Sequence, residues 1–241
     1  MSKIPQAPED IFGEITTDIK DVFGDDLVSI ALYGSGAKNE YRYKKSDINF
    51  MVVLTDHGIQ HLSKTFELVK KWNKRNVSVP LFLTESYINS SLDSFPIEFL
   101  NMKKHHKPVY GEEILDKLEI GHKDLRLKCE EQIKGKLLHL RKNFILTLGK
   151  KDALEEMLLI TIPTFASIFT ALLELQNVPV PTHKNEILIK TAEVFELDKS
   201  VFEQLLRVWN KEDKLNSEEL IQLAERYIEE IRKLSLIVDQ M

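Results

Sequence analysis

The residue types best suited to chemistry lie in one short part of the sequence, between two apolar runs. Gly34 and Ser35 follow the first run, and Asp47 and Asn49 stand at the start of the second. A Gly-Ser turn after a strand leaves backbone N–H groups free to bind phosphate oxygens, above all where a helix begins. A carboxylate at the start of the next strand is well placed to ligate a divalent cation beside that phosphate. The pattern predicts a site for a phosphate group and a metal ion.

The side chains in and around this pattern refine the prediction. Asn49 lies two residues after Asp47, so in a strand both side chains point to the same face. Both are therefore candidate catalytic residues and metal ligands, although the amide oxygen of Asn49 brings no negative charge. Lys44 and Lys45 lie in a basic connector before Asp47 and are candidates, with the Gly-Ser turn, for binding a nucleotide. A solvated loop is the simpler explanation of the two lysines.

The first half of the chain is predicted to contain both helices and strands. These elements must position the polar residues. Apolar residues at helical spacing predict a helix at 9–23, and apolar runs predict strands at 27–33 and 48–54. The second run is almost unbroken, so we expect a central strand that is buried on both faces. A third strand is predicted at 77–83, where Pro80 favours an edge position or a bulge.

The second half of the chain is helical by its patterns. The predicted helices lie at 123–148, 152–176, 184–195, 199–210 and 217–239. Short loops between long helices indicate an antiparallel bundle. The predicted fold class is therefore α+β, with a mixed-sheet domain at 1–118 and an all-α helical bundle at 119–241.

Composition and charge argue against several classes of function. The net charge is -5 and the pI is about 5.9, whereas a dedicated nucleic-acid-binding protein usually has a basic surplus, so we expect no nucleic-acid partner. The single Cys129 cannot form an intramolecular disulfide, and the N-terminus lacks the apolar run of a signal peptide, so a cytoplasmic location is the simplest expectation.

One uncharged segment raises the question of a membrane. Residues 157–173 are free of charge, but a spanning helix needs about 20 predominantly apolar residues, and this segment contains several polar ones. We therefore expect no membrane partner and a buried helix of the bundle instead. Pro163 should kink or break that helix.

The spacing of the polar residues resembles the signature of the nucleotidyltransferases of the DNA polymerase β superfamily. That signature reads Gly-Ser, then about ten residues, then Asp-x-Asp. Here eleven residues separate Ser35 from Asp47, and Ile48 and Asn49 follow. The order of helices and strands also matches over roughly the first half of the chain. A helical bundle after the sheet is similar to the architecture of the kanamycin nucleotidyltransferase-like proteins.

The resemblance implies a mechanism that this sequence supports only in part. In active members two aspartates on one strand and a third acid on a neighbouring strand hold two Mg²⁺ ions, which bind the triphosphate and activate the acceptor hydroxyl. Gly34 and Ser35 match the phosphate-binding turn and Asp47 matches the first acid. Asn49 replaces the second acid, and the predicted strand 77–83 contains none. We therefore expect Mg²⁺ at a weak site, and a degenerate domain with little or no transferase activity is favoured.

Three functions remain open. The first is a degenerate protein that binds a nucleotide or a partner in the cleft between its domains. The second is an active Mg²⁺-dependent transferase that moves a nucleotidyl group from a nucleoside triphosphate to a small molecule or a protein, with a further carboxylate from Glu85 or from the bundle. The third is a non-enzymatic, antitoxin-like interaction protein. Formation of a homodimer through the apolar bundle is a further expectation.

The histidines carry a weaker signal. Two pairs of histidines are close enough in sequence to ligate one metal ion: His57 with His61, and His105 with His106. No acid or cysteine in the sequence pattern completes a zinc site with either pair. Both pairs are therefore predicted to lie on the surface.

Overall fold

The protein divides into two compact units. The computed structural model describes residues 4–38 and 40–241, and the units are Met1–Ile120 and Gly121–Met241. The boundary predicted after residue 118 lies close to this division. Because each unit has its own core, each is described by itself.

A four-stranded mixed sheet forms the centre of the first unit. The strands are β1 (Leu27–Tyr33), β2 (Asn49–Leu54), β3 (Leu81–Leu83) and β4 (His106–Gly111). Their order across the sheet is β3-β2-β1-β4, with β1 antiparallel to β2 and β4, and β2 parallel to β3. The helices of this unit are α1 (Phe12–Phe23), α2 (Phe66–Asn73), α3 (Glu85–Ser90) and α4 (Pro96–Lys104). The α+β fold class predicted from the sequence is confirmed.

Both faces of the sheet are covered because the strands alternate between two apolar clusters. Phe50 and Val52 of β2 belong to a cluster with Ile15 of α1 and Trp72 of α2. Met51 and Val53 belong to the opposite cluster, together with residues of α3 and α4. Since β2 lies between β1 and β3 and is buried from Phe50 to Leu54, the predicted central strand is confirmed.

The third strand is shorter than predicted. The sequence pattern predicts a strand over 77–83, whereas β3 spans only Leu81–Leu83, and Val77 makes an isolated parallel bridge to Ile48. Pro80 lies between the bridge and the strand and has no N–H group to donate to the ladder. The edge position that Pro80 favoured is confirmed by the strand order.

The second unit is a helical bundle, as predicted. Its helices are α5 (His122–Leu146), α6 (Lys151–Leu175), α7 (Lys184–Val194), α8 (Lys199–Trp209) and α9 (Ser217–Asp239). Aromatic rings of three helices meet in its core. The Phe165 and Phe202 rings contact Tyr227 edge to face, with centroid distances of 6.3 and 5.9 Å. Such pairs stabilise a core beyond the area they bury.

Helix α6 is long and apolar enough to cross a membrane by length and composition alone. In the structure, 67% of its most apolar window is buried inside the protein. It packs its apolar residues into the bundle core, including Phe165 and Phe169. The helix continues through Pro163, so the predicted break does not occur there.

Candidate functional site

The Gly-Ser turn lies directly against β2. Gly34 has a φ of +74°, which favours glycine, and its carbonyl accepts hydrogen bonds from the N–H groups of Ala37 and Lys38 at 3.1 and 3.2 Å. The preceding residue, Tyr33, is the cross-strand partner of Asn49. A side chain at position 34 would begin 3.2 Å from the Asn49 amide nitrogen. The structure therefore brings Gly34 and Asn49 of the predicted site together.

Asp47 and Asn49 flank a buried residue at the start of β2. Ile48 is fully buried and belongs to the same apolar cluster as Phe50, so the residues on either side of it project to the other face. Asp47 is exposed and Asn49 is half-buried. Within residues 4–38 and 40–241, Asp47 makes no hydrogen bond and no ion pair. Its carboxylate is thus open to a ligand from solution.

The connector before Asp47 is an exposed turn. The N–H groups of Lys45 and Ser46 both donate to the Arg42 carbonyl, and Lys44 has a φ of +61°. The Lys44 ammonium lies 5.1 Å from the centroid of the Tyr43 ring, so it stacks on an aromatic residue of the same turn. In the described part of the chain, no hydrogen bond joins Lys44 or Lys45 to the Gly-Ser turn, and their role as nucleotide ligands stays a prediction.

The neighbouring strand offers no third acid beside Asp47 and Asn49. Leu81 and Leu83 pair with Met51 and Val53 on one face of the sheet, whereas Val77 bridges to Ile48 and packs on the opposite face, so the register shifts by one residue between the bridge and β3. Val79 is 61% exposed. Neither Val79 nor any other residue of the segment 77–83 is acidic, so this segment brings no carboxylate to the start of β2.

Glu85 cannot supply that carboxylate, so this expectation is wrong. It lies in the first turn of α3, whose N-cap Thr84 accepts a hydrogen bond from the Tyr87 N–H at 3.1 Å. The next residue, Ser86, donates to Asp56 at 3.0 Å, beyond the C-terminal end of β2. Because β2 is six residues long, about 17 Å of strand separates that end from Asn49.

The polar residues at the start of β2 do not fit a pair of Mg²⁺ ions. Mg²⁺ prefers oxygen ligands in octahedral geometry and is commonly held by one or two carboxylates together with substrate phosphates. Asp47 offers one carboxylate, Asn49 offers one amide oxygen, and the segment 77–83 has no acid to offer. This donor set suits at most one weakly held ion that a nucleotide shares. If the protein had a purely structural or interaction role, Ser35, Asp47 and Asn49 would be expected to lie buried in a packed interface. None of the three is buried.

The C-terminal end of β2 uses its polar groups within the fold. Thr55 donates its hydroxyl hydrogen to the Asp26 carboxylate and accepts a hydrogen bond from the Gly58 N–H at 3.0 Å. His57 Nδ1 lies 2.9 Å from the other oxygen of Asp26. The hydrogen bond from Thr55, followed by that from His57, lowers the pKa of Asp26 below its usual value.

Of the two histidine pairs, only His57 is exposed, whereas His61, His105 and His106 are at least half-buried. The His57 side chain is 71% exposed, as predicted. The His106 side chain is only 7% exposed, so its predicted surface position is wrong. Its Nε2 lies 3.0 Å from Glu113 Oε1 and 3.9 Å from Asp116 Oδ1. His106 lies in β4, Glu113 in the loop after it and Asp116 in a 3₁₀ turn, so no single helix or strand pattern in the sequence signals this cluster.

The bundle carries a groove of about 440 Å³ between α5 and α6. Its wall combines polar side chains, among them Lys136, His139 and Glu156, with the apolar side chains of Met157 and Phe165. Both the volume and the mixed lining are typical of small-molecule sites.

Comparison with known proteins identifies the fold. No family model matches the sequence, and no curated protein matches it. The chain is similar in structure to the spectinomycin adenyltransferase AAD(9) from Enterococcus faecialis, solved with ATP and spectinomycin, with a TM-score of 0.52. The two sequences are 13% identical, and the likeness covers 91% of this chain and 99% of that chain. The predicted nucleotidyltransferase-like fold is confirmed, and at this identity the likeness speaks for the fold alone.

Proposed function

We propose that this chain is a nucleotide-binding protein built on a nucleotidyltransferase fold, with little or no transferase activity. The nucleoside triphosphate binds at the Gly34–Gly36 turn, beside Asp47 and Asn49. The observation that carries this proposal is the side-chain set around the start of β2, which holds the carboxylate of Asp47 and the amide of Asn49, with no acid in the neighbouring segment 77–83.

The single negative charge among these side chains explains why the protein is expected to bind a nucleotide without transferring it. Transferases of this fold neutralise the triphosphate with metal ions that three carboxylates hold, and each tenfold change in rate corresponds to about 1.4 kcal/mol. With Asp47 as the single acid, metal ions are held too weakly to stabilise the transition state. The Asn49 amide and the Gly34 turn do not repel phosphate, so a nucleotide still binds there.

Calorimetry with ATP and with CTP, each with and without Mg²⁺, tests the proposal. We expect binding whose affinity Mg²⁺ changes by less than about tenfold, or 1.4 kcal/mol, and no release of pyrophosphate. The variant Asn49→Leu, which removes the polar group beside Gly34, should weaken binding, whereas Asp56→Asn at the opposite end of β2 should not. Absence of nucleotide binding, or Mg²⁺-dependent binding with pyrophosphate release, would overturn the proposal.

A second candidate is an active transferase that adenylylates a small molecule. It is favoured by the likeness to an enzyme whose structure was solved with ATP and spectinomycin, and by the groove between α5 and α6. Incubation with ATP, Mg²⁺ and aminocyclitol or aminoglycoside compounds, followed by mass spectrometry, would detect a product heavier by one AMP. Such a product with the wild-type chain, and its loss in Asp47→Ala, would establish this candidate instead.

A further inference from the structure

We propose that His106, Glu113 and Asp116 form a binding site for a divalent transition-metal cation, for which Zn²⁺ is the best match. The site is separate from the polar residues at the start of β2 and does not depend on the proposed nucleotide binding. It is assembled by β4 and the segment that follows it.

The backbone after β4 brings the three side chains together. His106 is the first residue of β4, and the strand ends at Gly111, where the chain turns with a φ of +78°. A single turn of 3₁₀ helix at Leu115–Lys117 then returns Asp116 toward the start of the strand. The three ligand atoms lie within 4.8 Å of one another.

The hydrogen bonds of His106 leave two acceptor atoms facing each other. Its Nδ1 lies 3.0 Å from the Met102 carbonyl and 3.1 Å from the Lys103 carbonyl, so this nitrogen carries a hydrogen and donates it. In a neutral imidazole Nε2 then presents a lone pair, and that lone pair faces Glu113 Oε1 at 3.0 Å. Either a second proton on the ring or a cation between the two atoms must make this contact favourable.

The charges around the cluster favour the cation. Two carboxylates converge on one histidine nitrogen, and in the described residues no lysine or arginine nitrogen lies within 4.0 Å of Glu113 or Asp116. An imidazolium would leave one negative charge unbalanced, whereas a dication with a neutral imidazole balances both carboxylates. A metal-binding histidine also commonly donates its other N–H to a backbone carbonyl, as His106 does.

The donor set points to the class of metal. One imidazole nitrogen and two carboxylate oxygens suit Zn²⁺, which binds such atoms at about 2.0–2.2 Å and leaves a fourth position for water. Ligands at that distance lie roughly 3.4 Å apart in a tetrahedral site. His106 and Glu113 already approach this spacing, and Asp116 is 67% exposed on a short turn, so it can move inward.

The sheet register places this cluster near the nucleotide site but apart from it. Tyr33 of β1 is the cross-strand partner of both Asn49 and His106, so all three side chains project from one face of the sheet. Two strand spacings, roughly 10 Å, separate the Cα atoms of Asn49 and His106.

Titration of the metal-free full chain with Co²⁺, followed by visible absorption, tests the site, with Zn²⁺ competing against a chromophoric chelator. We expect one equivalent of Co²⁺ with the absorption of a tetrahedral site, displaced by Zn²⁺. The variants His106→Gln and Glu113→Gln should each lower the Zn²⁺ affinity by at least about tenfold. The matched controls His105→Gln and Glu112→Gln change neighbouring residues and should keep it.

Two further measurements make the outcome decisive. Zn²⁺ should raise the Tm of the wild-type chain but not that of Glu113→Gln, because a ligand that binds the folded state stabilises it. Asp47→Asn should retain full Co²⁺ binding, which separates this site from the nucleotide site. Absence of Co²⁺ and Zn²⁺ binding to the wild-type chain, or binding that His106→Gln leaves unchanged, would overturn the proposal and leave an imidazolium–carboxylate pair.

Discussion

Aspartates lie beside both ends of β2, but the fold uses them differently at the two ends. At the C-terminal end, Asp26 receives hydrogen bonds from Thr55 and His57, and Ser86 donates to Asp56. At the N-terminal end, Asp47 is exposed and makes no such bond to any described residue. The first arrangement holds a loop to the sheet, whereas the second leaves a carboxylate open beside a glycine turn.

This difference shows where function is to be sought in the first unit. Polar groups that the fold has already paired contribute to its stability, because breaking one bond leaves the partner unsatisfied. A polar group that the fold does not use contributes little to stability and is available to a ligand. Variants at the two ends should therefore separate effects on stability from effects on nucleotide binding.

The largest expected effect comes from restoring the second acid of the signature at the N-terminal end. Asn49→Asp places a second carboxylate on the same face of β2 as Asp47, so Mg²⁺-dependent affinity for ATP should rise by at least about tenfold, or 1.4 kcal/mol. Calorimetry with and without Mg²⁺ measures it. Asn89→Asp in α3 makes the same chemical change on an exposed helix and should have no such effect. An unchanged Mg²⁺ dependence in Asn49→Asp would contradict a role of this end of β2 in metal binding.

The next effect concerns the backbone of the glycine turn. Gly34→Ala should lower the free energy of unfolding by about 1–2 kcal/mol, because alanine is strained at a φ of +74° and its Cβ crowds Asn49. At Gly13 of α1 a Cβ would meet no atom within 4 Å outside its own helix backbone, so Gly13→Ala should instead stabilise by about 0.5–1 kcal/mol. Urea unfolding followed by Trp72 fluorescence in a Trp209→Phe background isolates the first unit. Equal effects of the two substitutions would show that the turn is not constrained.

At the C-terminal end, the expected effect appears on acidification. The pKa of Asp26 is lowered in the folded state, so its contribution to stability is present above its usual value of 3.8 and is lost as the pH falls through the lower folded pKa. Asp26→Asn should remove this part of the pH dependence, and Thr55→Val should weaken it because the Thr55 bond is the main cause. Thermal unfolding of the three proteins between about pH 2 and 6 checks this. If both variants lost stability in acid as steeply as the wild-type protein does, Asp26 would be excluded as the source of this pH dependence.

The smallest effect on stability is expected at Asp47. Asp47→Asn should change the free energy of unfolding by less than about 0.5 kcal/mol, because an exposed side chain without a partner contributes little. Urea unfolding measures it beside Thr55→Val, whose lost hydrogen bonds to Asp26 and Gly58 should together cost about 1–2 kcal/mol. A loss at Asp47 as large as that at Thr55 would mean that both ends of β2 serve the fold.

Local spacing was enough to predict one of the two polar clusters from the sequence. Gly34, Asp47 and Asn49 lie on or beside two adjacent antiparallel strands, so strand alternation and one turn determine which of them meet. The absence of a third acid was also visible, because no register of the segment 77–83 could supply one. The start of β3 was harder to predict, since it depends on how far the ladder continues past Pro80.

The His106 cluster could not be predicted because its geometry is set by tertiary structure. His106 is oriented by the last carbonyls of α4, and Asp116 is returned by a single turn of 3₁₀ helix. Neither feature has a periodic pattern in the sequence. The burial of His106 similarly depends on the packing of that turn, which the alternation of β4 alone does not reveal.

The order of the strands has a consequence for self-association. Unpaired N–H and C=O groups at the edge of a sheet can recruit a strand from another molecule. Here the edge strand β3 has three residues and follows Pro80, and the opposite edge strand β4 contains Pro108. Pro80 directly precedes one edge strand and Pro108 lies within the other, and neither residue has a backbone N–H to donate. Both edges are poor templates for sheet extension, so the fold resists edge-to-edge aggregation even though β2 is strongly apolar.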